Sequence, residues 1–174
     1  MSNDSIVARV FVYGTLKRGQ RNFARYCQGA VAIEPAVARG WLYALPQGYP
    51  MLDVPLEDVL ALGTADALAD AQRQLAPPTS AGLVSLGPAD ASRPFGLAKG
   101  ELITFDDPGP RLRALDRLEA YQPSAQSGEY WRALVQLVEP AGALAWTYIA
   151  PGGRLPMGAT SLGEVWPYSE SSCR

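Results

Sequence analysis

Five stretches of this chain are dense in β-branched and aromatic residues, and helices do not alternate regularly with them. They fall at residues 6–13 (IVARVFVY), 37–45 (VARGWLYAL), 99–105 (KGELITF), 131–138 (WRALVQLV) and 144–149 (LAWTYI). Short runs of this composition, bounded by Gly, Pro and Asp, read as largely buried strands. Helical spacing shows only at residues 22–28, 56–75 and 111–121. A doubly wound parallel sheet needs a crossover helix after nearly every strand. The pattern therefore predicts an α+β fold.

Within residues 22–28, Asn22 is placed to cap a short helix and Gly29 to stop it. Residues 46–50 read as a turn, and Ala141-Gly142 as another. Residues 56–75 read as a helix that Gly63 could split, followed by a Pro-, Ala-, Gly- and Ser-rich loop to residue 95. The tail after Pro151 is expected to wrap the surface.

At 174 residues the chain has the size of one domain, with or without an insertion. A formal net charge of −2 and 18% charged residues give no broad basic face for a nucleic acid. No apolar run approaches the roughly 20 residues that span a bilayer. The opening MSNDSIVARV places acid before base and has no long apolar core, so no signal peptide is expected. Cys27 and Cys173 sit in unrelated contexts and make neither a metal nor a redox pair. A soluble, cytoplasmic protein is expected.

The chain contains no histidine. That removes Ser-His-Asp and Cys-His catalysis and imidazole-bound zinc. Any proton transfer falls to a carboxylate, a tyrosine or a lysine.

Residues 111–121 (RLRALDRLEAY) point to one such group. Leu112, Leu115 and Leu118 form the apolar face, Arg113 and Arg117 the polar one. Glu119 follows Leu115 by four positions and Leu112 by seven, which sets its carboxylate within the leucine stripe. A carboxylate there is desolvated, and its pKa rises toward the range useful for general acid–base work. The bland reading is a helix-end glutamate fraying into solvent. Asp116, at the stripe's edge, has a weaker claim.

The strand at residues 6–13 runs into Gly14-Thr15-Leu16 and then a basic cluster, Lys17, Arg18 and Arg21. A glycine turn at a strand's end presents backbone N–H groups that can hold a carboxylate or an oxyanion. The spacing is not that of a Walker A loop, so nucleotide binding is not indicated. Alone, the turn could equally be an ordinary strand end beside solvated charges.

Together these features resemble a known family. Tyr13-Gly14-Thr15-Leu16-Lys17-Arg18-Gly19-Gln20 with Asn22 is similar to the opening motif of the γ-glutamylcyclotransferases. Leu42-Tyr43, Gly48-Tyr49-Pro50-Met51, Gly100-Glu101-Leu102, Leu115-Asp116-Arg117-Leu118-Glu119 and Tyr130-Trp131-Arg132 follow in the family's order. The resemblance implies a small mixed β-barrel flanked by a few helices. It assigns the acid/base role to Glu119, the substrate cradle to Tyr13, Gly14, Thr15 and Leu16, and pocket walls to Tyr49 and Tyr130. Ala120 stands where the family often has glycine. Residues 56–97 exceed the family's usual connection, and they could form a lid over the leaving group or a surface elaboration.

The implied reaction is intramolecular. The α-amine of a γ-glutamyl compound attacks its own side-chain amide, releasing 5-oxoproline and an amine or amino acid. The nucleophile belongs to the substrate, so no metal or cofactor is expected. The implied partner is a small γ-glutamyl substrate, with no nucleic acid and no membrane, for a monomer or homodimer. A non-catalytic γ-glutamyl or amino-acid binding module, or a stress-associated interaction protein on the same fold, is the alternative.

Overall fold

The computed structural model describes residues 6–75 and 95–167. The chain runs through β1 (Ala8–Val12), α1 (Phe23–Tyr26), β2 (Ala30–Arg39), β3 (Trp41–Ala44), β4 (Pro50–Asp53), β5 (Val59–Leu62) and α2 (Ala67–Arg73). It continues through β6 (Leu97–Phe105), α3 (Pro108–Leu118), β7 (Tyr121–Gln122), β8 (Ser127–Gly128), β9 (Trp131–Gln136), β10 (Leu144–Ile149) and β11 (Thr160–Gly163).

Among the described residues, nine strands make one mixed sheet in the order β11-β3-β4-β10-β1-β6-β2, with β9 joining β10 to β5. β10 runs parallel to both β1 and β4, and the remaining pairs in the sheet are antiparallel. The sheet curls on itself. Val37 of β2 bridges Glu139, just beyond β9, through Val37 N–H to the Glu139 carbonyl at 2.8 Å. The result is a barrel-like mixed sheet with a few helices outside, the α+β class that the pattern predicts and the barrel that the resemblance implies.

Strand periodicity decides which side chains go where. Along β1, Ala8, Val10 and Val12 pack with Leu112 and Leu115 of α3 and Trp146 of β10. The alternate residue Phe11, with Tyr13 beyond it, packs with Leu42, Leu52 and Leu102 on the opposite face. Both faces of β1 are therefore buried, which explains its nearly unbroken apolar run.

Several elements differ from the sequence reading. The expected strand at 37–45 divides at Gly40, where a Cβ would stand 2.7 Å from the Asp53 carbonyl oxygen. Its first half belongs to β2, which begins earlier, at Ala30, and pairs along β6. The expected turn at 46–50 gives its last residue to β4. Residues 56–75 are not one helix: a 3-10 turn (Leu56–Asp58) leads to β5, and only α2 is helical. Pairing of Val59, Ala61 and Leu62 with β9 overrides their helical spacing. The tail holds β11, paired with β3. Residues 77–94 of the expected loop lie outside the described residues.

Candidate active site

The turn after β1 is held by its carbonyls. Lys17 N–H donates to Gly14 C=O at 3.1 Å and Asn22 N–H to Thr15 C=O at 3.0 Å. The thiol of Cys27 donates to Leu16 C=O at 3.5 Å. Burial pushes that thiol up to about 12, so it is a packing group rather than a nucleophile. Among the described residues, the amides of Thr15 and Leu16 have no backbone acceptor. With the carbonyls drawn away, the turn has donors to offer an anion. Asn22 does not cap α1 with its side chain; its amide donates to Thr15 Oγ1 at 3.0 Å and braces the turn instead.

Gly14 is required by packing. A Cβ there would stand 2.5 Å from Cγ of Pro50, so the turn closes against the start of β4. Tyr13 crosses beneath: its hydroxyl donates to Tyr148 C=O at 2.6 Å and accepts from Leu52 N–H at 3.3 Å.

Glu119 enters from α3. Pro108 lies in the helix's first turn, where a missing N–H costs nothing. Leu112 and Leu115 are buried, Arg113 and Arg117 exposed. Glu119 is the C-cap residue, and Ala120 after it turns into the left-handed region at φ 51°. Burial, then the charge of Glu129, raises Glu119 from the usual 4.5 to about 7.

These parts share one cavity of about 190 Å³. Its walls include Tyr13, Gly14, Thr15, Leu16, Tyr49, Glu119 and Tyr130, every residue to which the resemblance assigns a role; Asp116, the weaker candidate, is not among them. Tyr130 donates its hydroxyl to Pro50 C=O at 2.8 Å, and its ring centroid lies 6.4 Å from that of Tyr49. Tyr49 donates to Glu129, a hydrogen bond that, with burial, lifts its hydroxyl to about 12. The three tyrosines therefore keep their hydroxyl hydrogens on protein acceptors and act as walls.

Arg21, Asn22, Glu129 and Tyr148 also line the cavity and were not singled out as site residues. Arg21 alone of the basic cluster does so. Lys17 donates to the Trp166 carbonyl, and Arg18 pairs with Glu101 at 2.8 Å. Asn22 reads as a helix cap and as part of the opening motif, with no site role attached. Glu129 and Tyr148 have no distinguishing spacing, since a short hairpin and the pairing of β10 bring them in.

The chain matches the model of the family described as Gamma-glutamyl cyclotransferase, AIG2-like, over residues 10–71. A search of curated proteins finds no match. Among solved structures, an aig2-like protein from Mus musculus is similar at 19% identity, with a TM-score of 0.45 over 86% of this chain and 80% of that one. The family match takes in the Gly14 turn and Tyr49 and ends before α3, so the placement of Glu119 and Tyr130 rests on the motif order and on the cavity. Over residues 10–71, the chain is thus similar to the gamma-glutamyl cyclotransferase, AIG2-like family.

Proposed function

We propose that the protein is a γ-glutamyl cyclotransferase that uses Glu119 as its proton carrier. The observation that carries this reading is the meeting, in one cavity, of a half-buried carboxyl raised to about 7 and the glycine turn. The turn's amides receive the substrate's α-carboxylate, and Arg21 adds positive charge at the cavity wall. Tyr49 and Tyr130 flank the chain of the glutamyl group and hold it folded.

An α-ammonium titrates at ~8 and is mostly protonated at neutral pH. Against a carboxylate at its usual 4.5, the proton would move uphill by roughly 3.5 pKa units, about 5 kcal/mol. With Glu119 at about 7 the gap is roughly one unit, about 1.4 kcal/mol. The freed amine attacks the γ-carbonyl carbon, closing the five-membered ring. The tetrahedral adduct expels the amide nitrogen, which takes the proton from Glu119. The second proton lost by the ring nitrogen follows the same route, so the released amine leaves protonated and Glu119 returns to carboxylate. Holding amine and carbonyl within reach supplies much of the remaining acceleration.

Incubation with γ-glutamyl dipeptides, γ-glutamylamines and glutathione, with 5-oxoproline assayed, tests the reading. Release from at least one class is expected. Saturable binding without 5-oxoproline would make the protein a binding module instead.

A further inference from the structure

A second cluster of charge lies beneath the site and is buried. Arg132 of β9 is 0% exposed. Its Nη2 donates to Asp70 Oδ2 of α2 at 2.7 Å, and its Nη1 lies 3.2 Å from Asp116 Oδ2 of α3. The guanidinium also sits over the Trp146 ring, 5.2 Å from its centroid. Gly63 makes room for it, since a Cβ there would meet Nε at 2.3 Å. Asp70 is fixed further by Thr64, through its N–H at 2.6 Å and its hydroxyl at 3.0 Å.

We propose that Asp116 is a positioning residue for Glu119, locked at the end of α3 by Arg132 and, through Arg132, by Asp70 of α2. This rests on the reading of Glu119 as the proton carrier. Asp116 and Glu119 are three positions apart, so they leave α3 on the same face. Among the described residues, Nη1 of Arg132 makes no directed hydrogen bond, so charge alone draws it to Asp116. The directed contact comes from the other side: Tyr148, a wall of the cavity, donates its hydroxyl to Asp116 Oδ1 at 2.8 Å. Asp116 is thus pinned between the ion pair below and the cavity wall above.

The arrangement also gives a function to part of the segment at residues 56–97. Within its described residues, none lines the cavity. What α2 contributes is a counter-charge in the core. Buried ion pairs are weak evidence for stability, and fixing a geometry is the role that this one fits.

Arg132→Lys and Tyr148→Phe test the lock, because both preserve charge. Lysine lacks the fork that spans two carboxylates, and phenylalanine removes one hydroxyl while keeping the ring. Glu119 is followed by carbon NMR of its carboxyl, assigned with Glu119→Gln. Its titration midpoint is expected to fall toward the ordinary carboxylate range in both variants, as the side chain escapes into solvent. Turnover is expected to drop ~10–10²-fold with KM within about twofold. Should Arg132→Lys fail to fold, Tyr148→Phe decides alone. Folded variants with the wild-type midpoint would overturn the proposal. A wild type that releases no 5-oxoproline would sink the cyclotransferase reading, and the titration would still decide whether Glu119 is held by this lock. A lowered midpoint with unchanged turnover would show the lock to be real and Glu119 not to be the proton carrier.

Discussion

A Cβ on Gly128 would stand 2.0 Å from the carbonyl oxygen of Ala120, the residue that follows Glu119. The small β7–β8 hairpin therefore closes directly on the turn that aims the carboxyl, and only glycine fits beneath it. Gly128→Ala is expected to open that turn. 5-Oxoproline release should fall ~10²-fold or more, the cost of about 1 Å of misplacement. Activity within a few-fold of wild type, in a variant with unchanged circular dichroism, would show that the hairpin does not set Glu119.

Ala120 itself occupies the left-handed region, which costs an L residue roughly 1–2 kcal/mol. Glycine escapes that strain and loses part of the gain through its freer unfolded chain. Ala120→Gly should leave thermal stability unchanged or raise it by up to about 1 kcal/mol. A clear drop in melting temperature would contradict this, since such a loss is expected where glycine replaces alanine within a helix rather than in the left-handed turn beyond it.

The carboxyl of Glu119 makes a prediction about stability with a definite sign. Its folded value of about 7 lies above the usual 4.5, so between these values the folded protein holds a proton that the unfolded chain has lost. Stability therefore falls as pH rises through this window, and the full penalty stands above pH 7. Glu119→Gln removes it. Chemical denaturation should find the variant more stable at pH 8 by on the order of 1–2 kcal/mol, discounted for the side chain's partial exposure, with no advantage at pH 4. Equal stability at both pH values would mean that the carboxyl is solvated. Glu129 contributes to the same shift, so Glu129→Gln should move the acid limb of the rate profile downward.

Much of this site was legible in the residues, for reasons that can be located. The Gly14 turn follows a strand whose apolar run is nearly unbroken because both faces of β1 are buried. Glu119 falls on a leucine stripe that α3 does bury. The lock below was not legible. Asp116 reads as a stripe-edge residue, and Arg132 as one polar position in a strand. Their pairing depends on β9 and α3 meeting, which no spacing within either segment encodes. β5 was hidden similarly: its leucines fit a helical wheel, and only β9 supplies the ladder that makes them a strand. Lys17 and Arg18 read as solvated charges, and no local spacing points to their partners Trp166 and Glu101, which lie far along the chain.

Steady-state release of 5-oxoproline by Glu119→Gln, measured on the wild type's best γ-glutamyl substrate, goes to the heart of the mechanism. Glutamine keeps the shape of the side chain and cannot carry the proton. A sole acid/base group contributes ~10²-fold or more, so kcat should fall by at least that factor with KM little changed. A folded variant that keeps kcat within a few-fold of wild type would contradict the assignment of Glu119.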